Sequence, residues 1–353
     1  MAWHALHVHH HDDPAALLGE AIRPVFDRLG GSVPRAYWLR HWRQGPHLRL
    51  FFDTDERTFT TVVRPVTGEI VGSWLERNPS QAQLDPVALL PLHRRLAEVE
   101  RDPGPLLPWC PDNSWHPAAA ERRAETVPEP EARELLDDFQ VRTTAVAFDT
   151  TEAIRHGHAD RLGTGFDLLV ATAHALSPGG IDRAFVSFRS HSEAFLSSTS
   201  DGQRLREHWD ALYRRQSEAL TARLSEVIAQ TDAQSGPMAE WVDLLRPIDR
   251  RAGDLIEHGR LRLEAPARFT GPPGEPELAQ ISPFHAGIEA RPQWWDTVRT
   301  STWFARYRLM LNYTYLHLTR LGLRPDQRYL LCHLISAAVE QTYDTSVREV
   351  IGG

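Results

Sequence analysis

The chain has 353 residues, 41% of them hydrophobic, with a formal net charge of −8, and none of its 39 basic residues is a lysine. The lack of lysine excludes Schiff-base chemistry and a Walker-type phosphate-binding loop, and the acidic balance argues against non-specific nucleic-acid binding. No apolar run is long enough to span a bilayer, no secretory signal pattern is present, and there are only two cysteines. We therefore expect a cytoplasmic protein that binds neither nucleic acid nor membranes.

The first 80 residues predict a small α+β unit. Alternating apolar residues indicate strands, and a helical run that ends at Gly30-Gly31 indicates a helix. The predicted elements, in chain order, are a strand at 3–10, a helix at 14–29, two hairpin strands at 37–42 and 47–52, and an amphipathic segment at 55–77 interrupted by Pro65. The hairpin strands are joined by Arg43-Gln44-Gly45-Pro46, which is a turn sequence.

The hairpin carries arginines among aromatic residues. Since side chains alternate along a strand, Leu48, Leu50 and Phe52 share the face expected to be core, and His47, Arg49 and Phe51 share the other.

On the first strand of the hairpin, Arg40 lies between Trp38 and Trp42. Because guanidinium groups form a fixed donor fork and stack on rings, Arg40 and Arg49 predict a rigid clamp for anions or carbonyls. The alternative, an ordinary sheet surface with cation–π contacts, stays open.

The rest of the chain changes from irregular to helical. Residues 78–131 are proline-rich and predict an irregular connecting region. Segments such as 102–105 and 108–111 interrupt regular secondary structure there. Helical periodicity then recurs to the end of the chain. The predicted helical segments are 135–148, 166–176, 181–196, 201–230, 238–258, 298–321 and 325–345, with a Pro/Gly-rich loop at 265–276. The fold class is α+β: an N-terminal small antiparallel sheet with helices (1–130), then a predominantly helical C-terminal part (131–353), which we expect to form one integrated domain.

A histidine-rich N-terminus raises the question of a metal site. Its histidines are His4, His7, His9, His10 and His11. A zinc site needs ligands that converge from fixed positions, and here only His7 and His9 share a strand face. We interpret the cluster as incidental and predict no metal.

Two helical stretches carry candidate chemistry. In Ser187-Phe-Arg-Ser-His-Ser-Glu-Ala-Phe195, His191 with Glu193 could transfer protons near neutral pH, although a polar helix face is an equal alternative. In 301–315, Ser301 is an N-cap candidate, while Trp303 and Tyr307 belong to a stripe that is mostly core.

The hairpin motif W-x-R-H-x(3)-G-P-H-L-R-L resembles the small, elimination domain of lantibiotic dehydratases, which also exists free-standing in thiopeptide gene clusters. The phrase S-F-R-S-H-x-E-x-F resembles the same domain, and the resemblance runs along nearly the whole chain. Free-standing relatives are glutamate-eliminating lyases or pyridine synthases. This chain departs from the lyases in having Phe51 at the second arginine position, and small or acidic residues where Asn-Arg follows the histidine corresponding to His333. The departures favour a pyridine synthase.

This resemblance implies a cofactor-independent formal [4+2] aza-cycloaddition between two dehydroalanines of a leader-bearing thiazolyl peptide, followed by loss of water and leader. It implies catalytic roles for Ser301 and Tyr307, with His191 and Glu193 transferring protons. The implied substrate-binding residues are Arg40, Arg49, Trp38, Trp42, Phe188 and Trp303. The implied partner is the ribosomally made precursor peptide, with a possible complex with other biosynthetic enzymes. Two alternatives stay open: a glutamate-eliminating lyase, and a non-catalytic leader-binding partner.

Overall fold

The structure is a computed structural model that describes residues 2–100, 102–121, 127, 129–263 and 277–352. The chain forms two compact units. The first unit comprises Met1–Ala159 with Arg320–Gly322, and the second comprises Asp160–Thr319 with Leu323–Gly353. From residue 130 onward the secondary structure of the described residues is helical, but the first two helices after this point belong to the compact unit of the sheet. That the two parts work as one integrated domain stays a prediction.

The first unit is built on an antiparallel sheet of four strands in the order β2-β3-β1-β4. The strands are β1 Ala2–His9, β2 Ala36–His41, β3 His47–Thr54 and β4 Ser114–Ala118. The first strand and the hairpin confirm the sequence prediction. Strand β4 and a helix at Pro86–Glu100 both lie in the proline-rich region that we predicted to be irregular, so that prediction was wrong at both places.

Five helices complete the first unit. They are α1 at 15–29, with a π-helical turn at Leu18–Ile22; α2 at 56–77, with π-helical turns at Phe59–Val63 and Gly68–Gly72; α3 Pro86–Glu100; α4 Pro130–Arg142; and α5 Thr144–Arg155. The predicted helix at 135–148 is thus two helices separated at Thr143. Apolar side chains of one sheet face pack onto the helices. For example, Phe52 of β3 contacts Phe26 of α1, which in turn contacts Phe148 of α5.

Arg320 is a buried cation of the first unit, with 1% of its surface exposed. Its guanidinium donates to the carbonyl oxygen of Gln140 at 3.1 Å and to the hydroxyl of Thr144 at 2.6 Å, and lies 4.8 Å from the centre of the Trp38 ring. Burial lowers the pKa of Arg320 to about 9, so it stays charged at neutral pH. Its own carbonyl accepts from Arg40 Nε at 3.0 Å.

Replacing Arg320 with methionine is expected to lower the free energy of unfolding by about 3 kcal/mol, because buried acceptors lose a charged donor. Chemical denaturation followed by tryptophan fluorescence measures this loss. The control is Arg324→Met, since Arg324 is exposed and its guanidinium forms a surface ion pair with the neighbouring Asp326 at 2.8 Å. Equal denaturation midpoints for the two variants would contradict the structural role of Arg320.

The second unit is helical. Its helices are α6 Arg161–Leu176, α7 Ile181–Ser198, α8 Gly202–Asp232, α9 Gly236–Glu257, α10 Leu278–Ile281, α11 Pro283–Glu289, α12 Pro292–Arg299, α13 Thr302–Arg320, α14 Pro325–Tyr343 and α15 Val347–Gly352. The longer predicted helices are confirmed, but α10 to α12 and α15 were not predicted. The predicted loop at 265–276 lies outside the described residues. Across the described ranges, no helix combines the length and the apolarity that crossing a bilayer requires.

Candidate active site

A cavity of about 500 Å³ lies within the second unit. Helices α7 and α13 contribute to its walls, together with the short helices α11 and α12. The aromatic and aliphatic lining includes Trp294, Trp295, Trp303, Phe304, Ile288 and Leu311. A cavity of this size, with mostly apolar walls and a few polar groups, is typical of a site that binds an organic ligand.

Tyr307 places a phenol hydroxyl at this cavity. The residue is 1% exposed, and its hydroxyl lies 2.6 Å from Ser187 Oγ of helix α7. Burial raises the pKa of Tyr307 well above its usual value, and the hydrogen bond with Ser187 only partly offsets this. The side chain is therefore a neutral phenol at physiological pH, able to donate a hydrogen bond.

His191 of helix α7 also lines the cavity. Its Nδ1 shares a hydrogen bond of 2.8 Å with the hydroxyl of Tyr315. Burial, together with the smaller effect of the Arg328 and Arg308 charges, lowers the pKa of His191 to about 4. At neutral pH the imidazole is uncharged, and it can accept a proton from a bound group.

A second imidazole, His285 of helix α11, faces the same cavity and was missed in the sequence. It is fully buried, with Nε2 at 3.1 Å from Ser190 Oγ and Nδ1 at 2.8 Å from Ser282 Oγ. Burial lowers its pKa to about 4, with partial compensation by the charge of Glu193. The only signal in the sequence was Ser282-Pro283, a combination that suits the start of a helix.

These two neutral histidines predict that the folded protein loses stability at acid pH. Their pKa values are about 4 in the folded chain against 6.5 in an unfolded one, so between these values the unfolded state binds more protons. Stability is therefore complete above about pH 6.5 and is lost as the pH falls towards 4. Between pH 7 and pH 5 each histidine is expected to remove about 2 kcal/mol from the free energy of unfolding.

Urea denaturation at both pH values measures this loss. The variants His191→Gln and His285→Gln each remove one titrating group, so each is expected to reduce the pH dependence. A pH dependence identical to that of the wild type in both variants would contradict the assignment.

The structure does not bring two of the predicted catalytic residues to the cavity wall formed by the described residues. Ser301 lies just before helix α13, and its hydroxyl donates to the carbonyl oxygen of Val298 at 2.7 Å. Glu193 accepts two hydrogen bonds from Arg206, at 2.7 and 2.6 Å. Burial pulls the pKa of Glu193 upward, but these bonds outweigh it and hold the pKa below its usual value. Glu193 is thus an ionised carboxylate paired with Arg206 and not the proton-transfer partner of His191.

Two predicted substrate-binding aromatics behave differently. Trp303 lines the cavity and is 38% exposed, as a ligand-contacting side chain should be. Phe188 is completely buried in the core of the second unit. This burial favours a packing role for Phe188, because contact with a ligand would require its neighbours to move.

The two hairpin arginines lie on opposite faces of the sheet in the first unit. The strands pair Leu39 with Arg49, and Arg40 with Leu48. Since directly opposite residues point to the same face, the two guanidinium groups cannot form the single clamp that we predicted. Arg40 contacts the carbonyl of Arg320, whereas Arg49 is 6% exposed.

The two predicted tryptophans of the hairpin also differ. Trp38 is completely buried beneath the guanidinium of Arg320. Trp42 is half-buried, and its ring stacks on His41 with 5.5 Å between ring centres. Of the two, Trp42 has more surface to offer a ligand.

Known structures share this fold. The pyridine synthase TbtD, from thiomuracin biosynthesis, is 39% identical, covers 98% of this chain and 100% of its own, and superposes with a TM-score of 0.81. TsrL is 24% identical over 99% of this chain and 97% of its own, with a TM-score of 0.71. The tRNA-dependent lantibiotic dehydratase MibB from Microbispora sp. 107891 is 14% identical over 97% of this chain, with a TM-score of 0.50. The chain spans 28% of the length of MibB, and the likenesses to TsrL and MibB show the fold alone.

No curated protein matches this chain. The family described as the C-terminal region of the lantibiotic biosynthesis dehydratase matches residues 3–339, which is nearly the whole chain. The match includes the hairpin motif and the histidine-containing stretch of helix α7, on which the sequence comparison depended. The chain therefore belongs to the lantibiotic biosynthesis dehydratase C-terminal family.

Proposed function

We propose that this protein is a pyridine synthase that closes the macrocycle of a thiopeptide. The observation that carries the proposal is the 39% identity to the pyridine synthase TbtD along the whole chain. The aromatic cavity supports it, because neutral hydrogen-bonding groups stand in an apolar setting there. The lack of the second arginine and of the Asn-Arg pair expected of a glutamate-eliminating lyase points the same way.

The substrate is a ribosomally made precursor peptide with a leader and a dehydrated, azole-containing core. The amide beside one dehydroalanine tautomerises to an iminol, which creates a 2-azadiene. This diene adds to the second dehydroalanine in a formal [4+2] reaction that forms the six-membered ring. Loss of water and of the leader, as an amide, then makes the ring aromatic. These reaction steps involve no net oxidation or reduction, so they require no oxidant. We place the reaction in the cytoplasm, where the precursor is made.

The cavity contributes mainly by holding the two reacting ends together. Such positioning can remove roughly 7–11 kcal/mol of the barrier of a bimolecular step. Ser187 donates to the carbonyl oxygen of Ala184 at 2.7 Å, so the Tyr307 hydroxyl is the donor in its 2.6 Å bond to Ser187 Oγ. In this scheme Tyr307 turns that donor from Ser187 to the amide or iminol oxygen of the bound peptide. His191 accepts a proton during tautomerisation and returns it as water or the leader departs.

The roles of the other predicted site residues remain proposals, and the structure supports some of them better than others. Ser301 can act only if its hydroxyl leaves the carbonyl of Val298. Trp303 contacts an azole ring of the core, since it lines the cavity. Arg49 and Trp42 are candidates for peptide contact in the first unit, each on its own account rather than as parts of one clamp.

The test is incubation of the protein with a leader-bearing, dehydrated thiazolyl peptide, followed by mass spectrometry. A pyridine synthase releases the leader as an amide and gives a core product lighter by one further water. A parallel incubation with a glutamylated serine peptide tests the lyase alternative, which would release glutamate. Release of glutamate, or no conversion of the dehydrated peptide, would contradict the proposal.

A further inference from the structure

A cluster of histidines lies on the sheet face that carries Arg49. His7 and His9 are two residues apart on strand β1, so they point to the same face. Strand β4 places His116 directly opposite His7. One ligand atom of each of these three rings lies within 4.8 Å of the others. Two adjacent strands therefore hold three imidazoles in a fixed, converging arrangement.

His9 is the buried member of this cluster. It is 1% exposed, and among the described residues neither of its ring nitrogens has a hydrogen-bond partner. A buried imidazole with both nitrogens unsatisfied is costly, because each nitrogen has lost its contact with water.

The neighbouring His47 shows the contrast. Its Nδ1 donates to the carbonyl oxygen of Gly45 at 2.9 Å, and its Nε2 accepts from Arg49 Nε at 3.2 Å. Both ring nitrogens of His47 are thus hydrogen-bonded, whereas those of His9 are available to bind a ligand.

We propose that His7, His9 and His116 form a binding site for a divalent transition metal ion, with Zn²⁺ as the best fit. Three imidazoles are a known ligand set for zinc, and they leave a fourth position for water or an anionic group. His7 and His116 are half-buried, which gives the ion a route from solvent to the buried ring of His9.

The charges around the cluster are of both signs. Arg43 and Arg49 lie nearby, but both are compensated. Arg43 pairs with Asp102 and Glu121, and Arg49 Nη1 lies 3.5 Å from the same carboxylate of Glu121. Asp112 adds a third negative charge near His9 and His11. The three carboxylates outnumber the two guanidinium groups, but Arg49 and Arg43 both lower the pKa of His7, so the field at that ring opposes a positive charge. The ion would therefore have to be held by the three neutral imidazoles themselves.

This site is distinct from the cavity in which we place the chemistry of the proposed function. Its residues all belong to the first unit, whereas the residues that line the cavity belong to the second. We predicted no metal because the N-terminal histidines scatter and no Cys-x-x-Cys or His-Glu-x-x-His motif occurs elsewhere, so His116 was not considered as a ligand. The third ligand comes from β4, within a region that we expected to be irregular, and only the strand pairing reveals it.

The experiment is a calorimetric titration of Zn²⁺ into the full-length protein, prepared without a polyhistidine tag and stripped of metal. We expect saturable binding of one ion per chain. His116→Ala is expected to weaken binding more than about 100-fold, since loss of a ligand exceeds the effect of losing an outer contact. Co²⁺ titrated in the same way is expected to give the absorption bands of a four-coordinate ion.

The matched control removes two histidines elsewhere in the first unit. His156 and His158 are exposed, with ring centres 6.0 Å apart, and the double variant His156→Ala/His158→Ala is expected to bind Zn²⁺ as the wild type does. Circular dichroism without metal shows whether each variant is folded, and His7→Gln replaces His116→Ala if the latter is not. Absence of saturable binding, or equal affinity in the folded ligand variant, would overturn the proposal.

Discussion

Replacing Tyr307 with phenylalanine is expected to lower kcat for ring formation about 100-fold or more, with little change in KM. The substitution keeps the ring and removes only the hydroxyl, which lies 2.6 Å from Ser187 Oγ at the cavity. Because burial keeps this phenol neutral, it acts as a donor towards an oxygen that gains negative character in the transition state. A time course of leader release, followed by mass spectrometry, gives both constants.

The matched control is Tyr213→Phe. Tyr213 also belongs to the second unit and donates to the side chain of Gln341 at 2.7 Å, but it is not part of the cavity wall formed by the described residues. We expect it to turn over peptide at the wild-type rate. An undiminished rate for Tyr307→Phe, or equal losses in both variants, would refute a role of the Tyr307 hydroxyl in the reaction.

Ser187→Ala completes this comparison. If Ser187 orients the hydroxyl of Tyr307, its loss lowers kcat less than the loss of the hydroxyl itself. The double variant should then be no slower than Tyr307→Phe, since residues that act as a unit are not additive.

The hairpin shows which part of a fold can be predicted from local sequence. Alternation and the turn residues correctly located both strands, because these signals lie within the hairpin itself. The faces of the two arginines were wrong because they depend on the register. Gln44 and Gly45 both have positive φ, at 58° and 100°, and the turn pairs His41 with His47. A pairing shifted by one residue would have put Arg40 opposite Arg49, and one residue reverses the face of every side chain.

The cavity shows the other limit. Helical spacing and family resemblance were enough to single out Tyr307 and His191, which line the cavity, while their catalytic roles stay predictions. His285 was missed because it lies on a helix of seven residues, where periodicity carries little information. Glu193 was misjudged as a partner of His191 because Arg206, its actual partner, lies on the next helix. Contacts between helices decide both cases, and no local pattern encodes them.

Replacing His191 with glutamine is expected to reduce kcat about 10²- to 10⁴-fold, the usual contribution of a positioned acid–base group. Glutamine retains a polar side chain near the hydroxyl of Tyr315 but cannot accept a proton. The pH profile provides an independent test. Since the folded pKa of His191 is about 4, the wild-type rate should stay flat from pH 7 down to pH 5 while the protein remains folded.

The control is His208→Gln, an exposed histidine of helix α8, which is expected to keep the wild-type rate and profile. Circular dichroism at each pH separates loss of folding from loss of proton transfer, because buried neutral histidines destabilise the chain as the pH falls. A wild-type rate that declines with an apparent pKa near 6.5 in folded protein would show that an exposed histidine, and not His191, is the base. A rate for His191→Gln equal to that of His208→Gln would show that His191 is not the base.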